Sequence, residues 1–396
     1  MVGGILVLAF LLRTVGISSY PVGFTQDEAS FGYDAYSLLT TGKDQWGANW
    51  PSTLRSFGDF KLPLYAYLTI PSVAIFGLNE FAVRLPNALL GTLAVLVTYL
   101  LVVEWLRKQG ITQNRKQINT EAVALLAASL LAVSPWHISL SRGAFEANLT
   151  TFFLPLGVWA FLQGVKAPRW MVVAALAFGL NLFTYHSARL ATPLLVVALV
   201  WWERKELKNL GNYKFSTAVF AVSLAVASYT MFFGAGARGA DIVIFNPTDR
   251  WAAVSERRYE AVLAGLPDQV ARFFSNKAVY IFDQFVVNYL SYLSPQFLFS
   301  EGAGERAYGM IPGRGVLYLL ELPFIVSVLL FLAKKKTPEL GLLLVWILLS
   351  LIPAALTKGP GLAANRVAVM MPAIQILSAY GGILLFDVLS KWASKR

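Results

Sequence analysis

The chain has 396 residues, 57% of them hydrophobic and only 14% charged, with a mean hydropathy of +0.59. Soluble domains carry about a quarter charged residues, so this composition excludes a solvated globular fold and indicates a polytopic, all-α integral membrane protein. The net charge of +11 does not indicate a nucleic-acid partner, because the cations sit in short clusters between apolar runs, where membrane topology accounts for them. The absence of cysteine excludes disulfides, thiolate nucleophiles and zinc–thiolate sites. Two histidines are too few for a His-rich metal centre.

Ten apolar stretches read as membrane spans, at about 2–18, 82–106, 119–137, 149–165, 170–186, 188–202, 215–234, 315–333, 339–356 and 367–388. The first lacks a basic n-region and a small-x-small cleavage site, so it reads as a retained helix rather than a signal peptide. The basic clusters follow alternate spans. Arg107, Lys108, Arg115 and Lys116 come first, then Lys166 and Arg169, and then Arg204, Lys205, Lys208 and Lys214. Lys334, Lys335 and Lys336 follow, and Lys391, Lys395 and Arg396 close the chain. All fall on the cytoplasmic side of one consistent topology. Trp105, Trp170, Trp201, Trp202 and Trp392 flank these clusters as an interfacial belt does. The stretch from Pro63 to Gly77 is short for a span, and a crossing there would invert every later loop. It is expected to lie along the outer interface as a juxtamembrane helix. Two long outer loops remain, at about 19–81 and 235–314, within a single transmembrane domain covering 1–396.

The first outer loop opens GFTQDEASFGYDAYSLLTTGKDQWG. Thr25 followed three residues later by Glu28 forms a capping-box pattern, which predicts a helix from about Gln26 to Gly42. On that helix Asp27, Ser30, Phe31 and Asp34 share one face. The pair Asp27 and Glu28 has two readings. Acids in a first turn favour the helix dipole. Carboxylates beside a membrane surface can instead act as a general base, a cation ligand, or both. Lys61, just before the juxtamembrane stretch, either snorkels or holds a phosphate.

The order DEASFGYDAY, TGKDQWG, KLPLYAY, FGLNEFAVRLP and then a long span resembles the GT-C superfamily of polytopic glycosyltransferases. The branch it resembles is that of dolichyl-phosphate-mannose protein mannosyltransferases and bacterial aminoarabinose transferases. The likeness covers essentially the whole chain and is strongest over residues 13–86. It implies transfer of a sugar from a polyprenyl phosphate on the non-cytoplasmic face, with inversion, in a bacterial inner membrane. It also implies a catalytic role for Asp27, with Glu28 matching the second motif acid and Lys61 matching a donor-phosphate contact. Leu62 departs from the proline that many relatives carry there. The chain stops just after its tenth span, where relatives often continue.

Further candidates lie at the outer ends of later spans. Arg142 and Glu146 are four residues apart and can pair, or contact substrate or a cation. GT-C enzymes often place a further acid in this loop, and Glu146 is the acid it contains. His186 and Arg189 flank a tight outer turn, and Asn365-Arg366 opens the last span. A departing lipid phosphate needs cations where its charge develops, which makes Lys61, Arg189 and Arg366 the candidate clamps. The aromatic stretch Tyr289 to Phe299 either packs at the interface or lines an acyl or acceptor groove. The GxGxxG pattern at Gly234 to Gly239 follows a span rather than a strand, so it does not signal a nucleotide site. Arg13, Glu321 and Asp387 lie in or near spans but close enough to helix ends to snorkel or be solvated.

The expected mechanism has Asp27 accept the proton of an acceptor hydroxyl as it attacks the anomeric carbon. Glu28 and Glu146 orient the acceptor or hold a divalent cation such as Mg or Mn, no resident cofactor being certain. Asp34 belongs to the same substrate-binding face. The partners expected are a polyprenyl-phosphate sugar, an acceptor protein, lipid or glycan, and membrane lipid. A transporter or flippase of lipid-linked saccharides is the rival reading, though no internal repeat of the transporter kind is evident. A non-catalytic glycolipid-binding subunit is the third.

Overall fold

The computed structural model describes residues 1–108, 119–207, 210–233, 243–245, 250–304, 311, 313–334, 338–358 and 362–394. The pattern Gly234 to Gly239 and the cations Arg115, Lys116, Lys208, Lys335, Lys336, Lys395 and Arg396 lie outside these residues.

Each of the ten apolar stretches contains a helix. They are α1 (Val2–Thr14), α4 (Glu80–Lys108), the pair α5 (Thr120–Val133) and α6 (Pro135–Arg142), α7 (Thr150–Lys166), α8 (Arg169–Asn181), α9 (His186–Glu203) and α10 (Lys214–Phe232). The first outer loop supplies α2 (Gln26–Thr41), a hairpin of β1 (Leu54–Ser56) and β2 (Asp59–Lys61), and α3 (Leu64–Phe76). The second long outer loop carries α11 (Arg250–Leu263), α12 (Asp268–Phe274) and α13 (Lys277–Ser291). Last come α14 (Leu322–Lys334), α15 (Pro338–Ala355) and α16 (Ala373–Ala393). Among the described residues, four helices are long and apolar enough to cross a membrane, or five when α5 and α6 count as one bent span. Shorter apolar helices among the described residues are α1, α3, α8 and the 340–355 part of α15.

The break between α5 and α6 has a local cause. Ser134 caps the second half by accepting from the His137 amide at 3.3 Å, and Pro135 occupies its first turn. The two halves meet at 54°. Arg13 fills the break. Its Nη1 donates to the carbonyls of Ala9 and Ala132, and its Nη2 donates to Leu131 and lies 2.7 Å from His137 Nδ1. The carbonyls left open at the end of α5 are thus satisfied. Arg13 is therefore fully buried, not snorkelling. Asn87 of α4 reinforces this corner by donating to the carbonyls of Leu140, Gly143 and Phe145, which pins the second outer loop against α4.

One continuous apolar core runs through α4, α5, α7, α9, α15 and α16. Two glycines set close approaches. A Cβ on Gly381 would sit 2.0 Å from the Phe324 carbonyl oxygen, so α14 and α16 touch backbone to side. A Cβ on Gly32 would lie 2.6 Å from Val83, which lets α2 press on α4. At the opposite end of the bundle, Lys108 pairs with Glu203 at 2.5 Å and Lys166 with Glu104 at 2.6 Å, joining the inner ends of α4, α7 and α9. The stretch Tyr289 to Phe299 turns inward. Phe297 is fully buried and meets Tyr292 and Trp136 edge-on. Glu321, also buried, accepts from the Tyr318 amide at 3.1 Å.

Candidate active site

The capping box at the start of α2 forms as the sequence predicts. Thr25 accepts from the Glu28 amide at 3.2 Å, and Glu28 accepts from the Thr25 amide at 2.9 Å. The box aims successive acids in different directions. Glu28 points into the bundle and is 1% exposed. Both of its oxygens accept from Arg84, at 2.7 and 3.1 Å, and Oε1 also accepts from the Ala144 amide at 3.1 Å. Arg84 donates further to the carbonyls of Ile17, Pro21 and Gly23. This buried knot fastens α2, α4, the end of the first span and the second outer loop to one another.

Asp27 points the other way and stays one-third exposed. Its Oδ1 lies 2.7 Å from Lys61 Nζ. Lys61 is the last residue of β2 and is itself buried, with its ammonium over the Phe31 ring at 4.7 Å. The hairpin puts it there. Leu54 and Lys61 are register partners, and both face inward beyond the Phe57-Gly58 turn. Phe57 and Gly58 both have positive φ, as a two-residue hairpin turn requires.

Glu146 begins a short 3₁₀ turn, Glu146–Leu149, at the outer end of α7. It is half-buried and close enough to Asp27, Lys61 and Asp59 for their charges to act on it. Glu146 therefore lies within electrostatic reach of the Asp27–Lys61 pair. Asp34, one turn below Ser30 on α2, is fully buried and accepts from Gln45 at both oxygens, from its amide at 3.0 Å and its Nε2 at 3.1 Å. Burial pushes its carboxyl up to about 6, and the two Gln45 donors limit that rise. Gln45 also donates to Ser30, so it locks the predicted face of α2 to the loop that follows.

The remaining candidates separate. Arg142 does not pair with Glu146. It donates to the carbonyls of Leu12, Val15 and Tyr20, holding the outer end of α1, so its guanidinium is turned away from Asp27. His186 Nε2 lies 3.3 Å from the Phe60 carbonyl and joins the start of α9 to the hairpin that carries Lys61. Arg189, one turn later, is buried. It donates to Leu182 O and Thr230 Oγ1, while its Nη1 has no hydrogen-bond partner among the described residues. Arg366 lies half-buried on the 3₁₀ segment Ala364–Met370, which packs against the Glu146 turn, α7 and α9.

A divalent cation on Glu28 and Glu146 does not fit this donor set. The oxygens of Glu28 are committed to Arg84, Thr25 and Ala144. Among the described residues no three His, Cys, Asp or Glu side chains gather where an ion could sit. Arg84 is the functional position that the sequence reading left without a role. Its signal was a cation at the outer mouth of a span, four residues after the acid Glu80.

Residues 61–231 match the dolichyl-phosphate-mannose-protein mannosyltransferase family. Among solved structures the chain is similar to ArnT from Cupriavidus metallidurans bound to undecaprenyl phosphate, at 14% identity and a TM-score of 0.57, over 96% of this chain and 59% of that one. It is similar also to the archaeal oligosaccharyltransferase AglB from Archaeoglobus fulgidus in complex with an inhibitory peptide and a dolichol-phosphate. That match has 15% identity and a TM-score of 0.52, over 99% of this chain and 51% of AglB. The apo form of the Archaeoglobus fulgidus enzyme gives 16% identity and a TM-score of 0.53, over 98% and 51% of the two chains. Likeness at these identities establishes a shared fold, and the chain spans about half to three-fifths of the length of these structures. No curated protein matches the sequence.

Proposed function

We propose that this chain, a helical membrane protein whose fold is similar to that of ArnT and AglB, moves a sugar from a polyprenyl-phosphate donor to an acceptor hydroxyl on the non-cytoplasmic face, with inversion. The observation that carries the proposal is the Asp27–Lys61 pair, a partly open carboxylate 2.7 Å from a buried ammonium, held where the outer loop meets the bundle. An acid and a cation side by side are what the reaction needs at its two ends. ArnT is seen with undecaprenyl phosphate and AglB with dolichol-phosphate, which supports a lipid phosphate as the donor's carrier.

In this mechanism the acceptor oxygen attacks the anomeric carbon opposite the phosphate. The bond from carbon to the phosphate oxygen breaks as the new glycosidic bond forms. Asp27 takes the hydroxyl proton, late and in concert with departure of the phosphate, because a carboxylate is a weak base for an alcohol. The charge left on the lipid phosphate falls on Lys61, on the open Nη1 of Arg189 and on Arg366. Glu146 orients the acceptor. Glu28, with no oxygen to spare, acts as a positioning residue that fixes the first turn of α2 through Arg84. On this reading the protein belongs in a bacterial inner membrane, with this site outward.

The test is transfer by the purified chain from labelled polyprenyl-phosphate sugars in detergent, with no gradient and no second compartment. The expected result is donor consumption that Asp27→Asn abolishes at unchanged membrane abundance. Retained turnover in that variant removes Asp27 from the chemistry, and no turnover of any lipid-phosphate sugar removes the reaction.

A further inference from the structure

The loop between α2 and the hairpin is built around two tryptophans that the mechanism above does not use. Residues 43–50 read Lys-Asp-Gln-Trp-Gly-Ala-Asn-Trp. The loop is closed by a bridge between Lys43 and Asn49, and Asp44 accepts from the amides of Trp46 and Ala48 at 2.9 and 2.8 Å. Its interior is thus satisfied by its own carboxylate, in the manner of an Asx turn. Its two indoles nevertheless stand outside. Trp46 is 56% exposed and Trp50 is 61% exposed.

These rings are held, not loose. Trp46 Nε1 donates to the Arg55 carbonyl at 2.8 Å, and the Arg55 guanidinium lies over the indole at 4.4 Å from its centroid. With one face under Arg55, the exposed area belongs to the opposite face and edge. Trp50 leans on Tyr67 at 5.8 Å and takes a φ of +39°, a conformation a bulky side chain rarely adopts. Fixed, exposed aromatic faces in a strained loop are a feature of recognition surfaces.

The platform is tied to the catalytic pair from two directions. Gln45, next to Trp46, is bonded to Asp34 and Ser30, which share the face of α2 that Asp27 begins. Seven helical residues separate Asp34 from Asp27, a rise of about 10 Å. Arg55, which lies over Trp46, sits beside Leu54, the register partner of Lys61. A molecule resting on Trp46 with its end at Asp27 would therefore be an extended one, of the length of a short saccharide.

Two partners suit an exposed tryptophan beside a membrane, the lipid interface and a sugar ring. Interfacial tryptophans flank apolar runs, whereas this loop surrounds its indoles with Lys43, Asp44, Gln45, Asn49 and Arg55. A pyranose presents C–H bonds from its faces and hydroxyls from its rim. It fits a flat indole set among hydrogen-bonding side chains. We propose that Trp46, with Trp50 beside it, forms a subsite for a pyranose ring, so that the acceptor is a saccharide approaching Asp27 along α2. The acceptor role rests on the transfer reaction proposed above, while binding itself does not.

The experiment uses the full chain in detergent without donor. Ligand-observed NMR is recorded with a panel of linear hexasaccharides of glucose, mannose, galactose and N-acetylglucosamine, and with a hexapeptide of serine and threonine. At least one saccharide should bind. Trp46→Ala should weaken it tenfold or more at an unchanged melting temperature, and Trp46→Phe should restore most of the binding. The inference is overturned if no saccharide binds, if Trp46→Ala binds as well as the wild type, or if the peptide alone binds. It is overturned equally if brominated lipid in nanodiscs quenches an emission component that Trp46→Phe removes, since that would place the ring in the bilayer. A chain that binds saccharide but consumes no polyprenyl-phosphate sugar defeats the transfer reaction and leaves the subsite standing. A chain that consumes donor with Trp46 indifferent to saccharide does the reverse.

Discussion

Replacing Glu28 by alanine should unfold the protein before it can be said to have lost any chemistry. The carboxylate and Arg84 are 1% and 0% exposed, and their closest approach is 2.7 Å. Removing one partner of a buried pair leaves an uncompensated charge and costs about 3–5 kcal/mol. The same substitution deletes half of a capping box, which costs about 1 kcal/mol. It also strands the Ala144 amide, at about 1–3 kcal/mol. These losses share partners and do not add in full, so a total of about 5 kcal/mol is the working figure. That is a large part of the stability of a typical domain, about 5–15 kcal/mol. Thermal denaturation in detergent, read by loss of the monodisperse peak, should show Glu28→Ala melting far below the wild type. The double change Glu28→Met with Arg84→Met should recover part of that loss, because a buried pair exchanged for apolar groups of similar volume is often tolerated. A Glu28→Ala protein that melts with the wild type yet transfers no sugar would refute the reasoning and make Glu28 a participant in the reaction.

Arg189→Met should raise the donor KM about tenfold or more without lowering the melting temperature, since it removes a buried cation whose hydrogen bonds go to a carbonyl and a hydroxyl rather than a carboxylate; an unchanged KM in steady-state assays would take the phosphate away from this residue. The Asp34 carboxyl, held at about 6 against 3.8 when solvated, makes stability depend on pH. Its folded value is raised, so between those two values the native state binds the proton that the unfolded state has lost. Stability from this group is highest below about 4 and falls as pH rises to about 6, by about 3 kcal/mol; chemical denaturation at pH 4.5 and 7 should show that slope, and Asp34→Asn should remove it. Gly381→Ala should separate α14 from α16, because the added carbon meets a carbonyl oxygen at 2.0 Å. A cost of about 1–3 kcal/mol is expected, readable as a lower melting temperature with the donor KM unchanged.

Much of this architecture is legible in the residues because hydrophobic length and cation placement are strong, local signals. Each of the ten apolar runs holds a helix, and the capping box on Thr25 and Glu28 forms as its spacing requires. The face carrying Asp27, Ser30 and Asp34 follows from the helical period alone. What the sequence could not supply was the long-range pairing. Arg142 looked like a partner for Glu146 at helical spacing, but α6 ends at Arg142 and a non-helical link follows, so the four-residue rule has no helix to act on. Arg13 looked near enough to a helix end to reach solvent. The bend at Pro135 instead folds α5 over it and supplies carbonyls in place of water. Arg84 and Glu28 are 56 positions apart, and no periodicity connects them. Lys61 is likewise 34 positions from Asp27, and only the hairpin brings the two together.

In the proposed transfer, that hairpin lysine also implies an order of events. With no donor bound, its ammonium is paired with Asp27, the carboxylate proposed to take the hydroxyl proton. On the proposed mechanism an arriving phosphate competes for the same three N–H donors, and Asp27 exchanges its lysine partner for the hydroxyl only once the lipid is in place. If transfer proceeds as proposed, an idle site is thereby closed to hydroxyls, and the activated sugar is shielded from hydrolysis by having to be present before its attacker can be awakened.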